Sequence, residues 1–139
     1  MKLDNSIFID ERFFEVMRKV NNSDKLAPKM AYKFSRLVRE LDTHFQTYNK
    51  KRLELVSEYG TPDPEREGVS MVQGENKDVF VEKFTSLANE EFRVTAKSKF
   101  TLPEDIEGIT PSDFPIIEMI FDLSDWSDED EEDDEESEE

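Results

Sequence analysis

The sequence predicts an α+β protein, mainly helical, with one long helix, a small sheet of two or three strands and a disordered acidic C-terminal tail. Three observations carry this. Pro28 to Tyr59 holds apolar residues at steps of three and four with no further Pro and no Gly. Residues 92–100 alternate between apolar and mostly basic side chains, the pattern of a half-exposed strand. The run Asp128–Glu139 has eleven acids in twelve residues, a block that repels itself and buries nothing.

Taken in order, Asp10 is placed to cap a short helix over 11–20, its carboxylate accepting a backbone N–H of the first turn. Phe13, Phe14, Val16, Met17 and Val20 follow at near-helical spacing, and Asn21 to Asp24 ends the element with turn-forming residues. Pro28 suits the first turn of the next helix, where its missing N–H would lack a partner anyway. Met30, Phe34, Leu37, Val38, Leu41, Phe45, Tyr48, Leu55 and Tyr59 then mark one stripe, with a gap at Lys51 and Arg52. Phe34, Leu41 and Phe45 are expected in the core. Gly60 fits the position past a helix end, and Pro62 and Pro64 prevent continuation. Such a helix, over about 28–59, would be about 48 Å long. That exceeds the span of a compact domain of this size, so it should protrude or break near Asp42 and Thr43.

Thr61 to Asn76 reads as a loop carrying one short strand around Val69-Ser70-Met71-Val72, its ends set by glycine. A helix from about Asp78 to Glu90 follows, with Phe80, Phe84, Leu87 and Ala88 on one side. After the 92–100 strand, Thr110 and Asp113 have the spacing of a reciprocal helix cap that opens a short helix through Phe121. The expected organisation is one α+β body over 1–123 and a tail over 124–139.

Composition narrows the chemistry. The chain has 139 residues, no cysteine, one histidine and four glycines. Disulfides, thiol nucleophiles, zinc ribbons and multi-histidine metal sites are excluded. No phosphate loop or dinucleotide fingerprint occurs. His44, beside Phe45 at the edge of the stripe, is expected to pack or lie at the surface. An enzyme, a cofactor and a specific metal site are therefore not expected. No apolar run nears the roughly 18 residues of a membrane span, and Ile7-Phe8-Ile9 is too short for a signal-peptide core.

Charge is the main lead. All 18 Lys and Arg residues lie within 1–99, beside 17 acids, whereas 100–139 holds 18 acids and no base. Lys29, Lys33 and Arg36 share a helix face, and Arg93, Lys97 and Lys99 share a strand face. Acids interleave with the helix bases, so direct nucleic-acid binding is not the expectation. The patch could instead receive the protein's own tail. An extended peptide advances about 3.3–3.6 Å per residue and a DNA strand about 3.4 Å per phosphate. A run of acids can thus match the charge spacing of a nucleic acid, or simply keep the chain soluble. The candidate partner-binding residues are Trp126, Asp128, Glu129, Asp130, Glu131, Glu132, Asp133, Asp134, Glu135 and Glu136, with the single tryptophan as aromatic anchor.

Leu26-Ala27-Pro28-Lys29-Met30-Ala31-Tyr32-Lys33 resembles the "LPxKxAYK" opening of a group of small proteins encoded by tailed bacteriophages. The segment from Arg52 to Gly60 resembles their "RxxLxxKYG" helix end. The loop at Thr61–Asn76, the segment Leu87–Glu91, the strand Phe92–Ala96 and Ile109–Asp113 follow in the same order, so the likeness covers about 25–121. The N-terminal segment and the long acidic tail depart from it. The resemblance implies a phage origin and a host-cytoplasmic or virion setting, and it transfers no site residues.

Together these readings lead to the expectation of a non-enzymatic phage protein that binds a host or phage protein with a basic surface, its acidic tail mimicking nucleic-acid charge. The alternative is a virion structural or assembly component packed through the long helix, as a homo-oligomer or with other virion proteins.

Overall fold

A computed structural model describes residues 1–62, 65, 70–124 and 126. It shows the expected α+β class, mainly helical, with one long helix. The helices are α1 (Phe13–Asn21), α2 (Pro28–Tyr59), α3 (Glu75–Ala88) and α4 (Phe114–Ile117). The strands are β1 (Lys2–Asp4), β2 (Thr61–Pro62), β3 (Ser70–Met71), β4 (Glu91–Arg93), β5 (Phe100–Thr101) and β6 (Phe121–Asp122). Among the described residues they form three separate two-stranded sheets: β1 with β4 and β2 with β3, both antiparallel, and β5 with β6, parallel. Residue contacts divide the chain into two compact units. The first comprises Met1, Glu11–Val38 and Thr95 onward; the second comprises Lys2–Asp10 and Arg39–Val94.

The long helix runs unbroken across the expected span. Its first eleven residues belong to the first unit and the rest to the second. The two ends are set locally. Pro28 opens it, and Gly60 closes it with its N–H on the Val56 carbonyl at 2.8 Å. A Cβ at Gly60 would lie 2.5 Å from the Val56 oxygen, so only glycine fits there without a shift.

In the first unit, α1 buries Phe13, Val16, Met17 and Val20, and α2 contributes Phe34 and Leu37. Phe34 meets Phe100 edge-on at 5.9 Å and Phe121 at 5.3 Å. The β5–β6 ladder sets Phe100 beside Phe121, so backbone pairing and ring packing fix the same residues. Asp10 does not cap α1. The preceding 3-10 turn (Asn5–Phe8) is closed by the Ile9 N–H on the Ser6 carbonyl. The chain then turns through 11–12, and α1 starts later, with Arg12 at the N-cap and no side-chain cap.

Arg12 instead faces Asp113, whose carboxylate is almost fully buried. The Thr110 N–H donates to Asp113 Oδ2 at 3.1 Å, and the Asp113 N–H donates to the Thr110 carbonyl at 2.9 Å. Lys19 of α1 donates to the same carboxylate at 3.1 Å, and Arg12 lies 3.9 Å away. The Thr110 backbone N–H above all, then Lys19, holds the Asp113 pKa below the ordinary carboxylate value against the opposing effect of burial.

In the second unit, Phe8 stacks on Phe92 at 5.8 Å and on Tyr48 at 5.8 Å, and meets Phe45 edge-on at 5.6 Å. Asn5 is buried and donates its side-chain amide to the Leu87 carbonyl at 2.9 Å, a second donor beside the Glu90 N–H at 3.2 Å on the same oxygen in the last turn of α3. Leu41 is fully buried, as expected, but Phe45 is only half-buried. α3 starts three residues earlier than the sequence suggests. Gly74 begins it with φ of 67°, a left-handed conformation costly for any residue with a Cβ.

The expected 92–100 strand is corrected. Its two ends pair with different partners, β4 with β1 and β5 with β6, and the residues between are not in a strand. Side-chain alternation persists through Lys97: Phe92, Val94 and Ala96 are at least half-buried while Arg93, Thr95 and Lys97 are exposed; it then lapses at the exposed Ser98 before Phe100 turns inward again.

Candidate functional site

Of the predicted partner-binding residues, the structure places Trp126. Its ring is half-buried and meets Phe114 edge-on at 5.9 Å, and the Trp126 backbone N–H donates to the Leu123 carbonyl at 3.1 Å. The aromatic anchor is therefore held in part by the protein's own first unit. Asp128 through Glu136 lie outside the described residues, as do Asp125 and Ser127. Nearby, Asp122 accepts the Ser124 N–H at 2.9 Å, which together with the more distant Lys99 lowers its pKa.

His44 stacks on Phe92 at 4.2 Å with the rings 20° apart, a packing position. Tyr48 has its pKa raised by burial, with Arg52 opposing the shift. Among the described residues, no three His, Asp or Glu side chains are placed to hold a metal ion, and no helix is long and apolar enough to cross a membrane.

Lys29, Lys33 and Arg36 are exposed on the first turns of α2, and none has an ion pair among the described residues. Tyr32, three residues after Lys29 and four before Arg36, neighbours both on the helix surface and is 64% exposed. On the former strand face, Lys99 donates to the Glu118 carbonyl at 2.7 Å, and Arg93 stands across the β1–β4 ladder from Lys2.

A feature the sequence reading missed is a groove in the second unit between α2 and α3, with a cavity of about 600 Å³. Glu54 and Glu58 line one wall and Glu82 and Glu90 the other, over Leu55 and Val79. Lys51 bridges to Glu90 at 3.2 Å. The signal was available in principle. Positions 51, 54, 55 and 58 share one helix face, as do 79, 82, 83 and 86, but charged stripes of this kind read as solvated surface.

Comparison with protein-family models, with curated proteins and with solved structures finds no match to this chain.

Proposed function

We propose that this chain is a non-enzymatic phage protein that binds protein partners, its acidic C-terminal segment occupying a basic, nucleic-acid-binding surface on a host or phage protein. The observation that supports this reading is the segregation of charge: 18 acids and no base in 100–139, against a nearly balanced 1–99. The eleven acids of Asp128–Glu139 follow two residues after Trp126, whose ring rests on Phe114, so the polyanion starts beside an anchored point. The test is affinity capture from infected cells with the full chain and with a chain whose terminal acids are replaced by Asn and Gln. A partner held by the native chain should be released by salt and by added DNA. It should be absent from the neutralised chain and retained by one with the acids in scrambled order. A partner held equally by native and neutralised chains at every salt concentration overturns the reading.

The second reading, a virion structural or assembly component packed through the long helix, is favoured by Tyr32 and Leu53, 64% and 51% exposed on α2. A fixed copy number in purified virions would support it. Absence from virions, with early expression, would support the first.

A further inference from the structure

α3 is thinly covered: of its fourteen residues only Leu87 and Ala88 are buried, and Val79 is 39% exposed. The groove beside it has the size of a ligand cleft, for which about 300–1,000 Å³ is usual. Its walls carry four carboxylates and two ammonium groups, and the Lys51–Glu90 pair accounts for one of each. Glu54, Glu58 and Glu82 have no ion pair among the described residues. An apolar or acidic occupant would strip water from these carboxylates without compensation. The occupant must therefore bring cations together with an apolar group for Leu55 and Val79.

The chain carries such a surface. Lys29, Lys33 and Arg36 lie on the turns of α2 that carry the most exposed large apolar side chain of the described residues, Tyr32, with Lys29 and Arg36 as its helix-surface neighbours. Lys29 to Arg36 spans about 10 Å of one helix, and Glu54 to Glu58 about 6 Å of the groove wall with Glu82 on the other helix, so the two surfaces match in charge, three cations to three carboxylates. We infer that the α2–α3 groove docks a second copy of this chain, with Tyr32 of that copy set against Leu55 and Val79 and its Lys29, Lys33 and Arg36 facing Glu54, Glu58 and Glu82. The two surfaces differ, so the contact is heterologous. This goes beyond the proposal for the acidic terminus and does not rest on it.

The test uses the full chain in two ways. At about 20 mM salt, where screening is weak, the native chain at about 0.5 mM should self-associate by sedimentation, and raising the salt should dissociate it. The pair Lys33→Glu with Arg36→Glu, and separately Glu54→Lys with Glu82→Lys, should each weaken association about tenfold or more. Mixing the two variants should restore it, because the reversed charges again face opposite partners. The absence of native cysteine permits a direct readout. Under a mild oxidant, chains bearing Tyr32→Cys and Val79→Cys should form the mixed disulfide faster than either forms its own homodimer, with salt removing the preference. A native chain that stays monomeric at low salt, or cysteine pairs that cross-link without preference, overturns the proposal. So does a mixture of charge variants that associates no better than each variant alone.

Discussion

Replacing Asp113 with Asn isolates what its charge contributes to the first unit. The residue is 2% exposed, accepts the Thr110 N–H at 3.1 Å and pairs with Lys19 at 3.1 Å. Asn keeps the shape and one acceptor oxygen, so the bond to Thr110 persists in weaker form while the attraction to Lys19 is lost. A hydrogen bond to a charged group contributes about 1.5–3 kcal/mol. The Lys19 side chain is 34% exposed and recovers much of its hydration, which points to the lower end, about 1.5 kcal/mol. For a chain of this length that is about 5–8 °C in midpoint. The single tryptophan, Trp126, rests on the neighbouring Phe114, so its fluorescence reports this unit. The pH dependence supplies the sharper check. The folded pKa is lowered, first by the Thr110 N–H and then by Lys19. The unfolded residue titrates near 3.9. As pH falls, the unfolded chain takes up the proton first, so the contribution is complete above about pH 5 and is lost through 3.9 toward the folded value. The gap between native and variant should therefore be full at pH 7 and shrink toward pH 3. A gap of equal size at both, or none at pH 7, refutes the reasoning.

Leu41→Asp places an unpaired charge at a fully buried site and should cost more than about 3 kcal/mol, unfolding the second unit by circular dichroism. An unchanged melt would mean that the helix stripe is not core. Truncation after Ser124 removes the Trp126 contact with Phe114, an aromatic pair of about 0.5–1.5 kcal/mol, so the melting midpoint should fall by only a few degrees. A much larger loss would show that the acidic segment is structural. Gly60→Ala brings a Cβ to 2.5 Å from the Val56 oxygen and 3.3 Å from Ser70 Cβ, and should destabilise by about 1–3 kcal/mol in urea titration. A neutral result would show that the close approach is relieved cheaply.

What the sequence made legible was encoded within a few residues of where it acts. Pro28 and Gly60 bound α2 because each acts on its own turn, and Thr110 with Asp113 forms a cap across three positions. The 92–97 segment kept its alternation of burial, yet the ladders at either end of 92–100 depend on Lys2–Asp4 and Phe121–Asp122, distant in sequence and too short to announce themselves. Asp10 had the chemistry of a cap, but a 3-10 turn upstream moved the helix start beyond its reach. The burial of Asp113 between Lys19 and Arg12 required the fold, because nothing near 113 in sequence supplies those cations. Of the candidate site, only Trp126 falls on described residues, and Phe114 as its ring partner lay twelve positions away.

The interleaving of the two units bears on the order in which they can form during synthesis. All of the second unit lies within residues 2–94, so its last strand, β4, is in the chain once Arg93 has been added. The first unit must wait for β6, whose Asp122 comes 28 residues after Val94. At roughly 5–20 residues per second, that is a lag of about 1–6 s. For nearly all of this interval, α1 and the opening turns of α2 exist without the Phe121 ring that will pack on Phe34. The helix common to both units is thus finished at one end while the other still awaits its core.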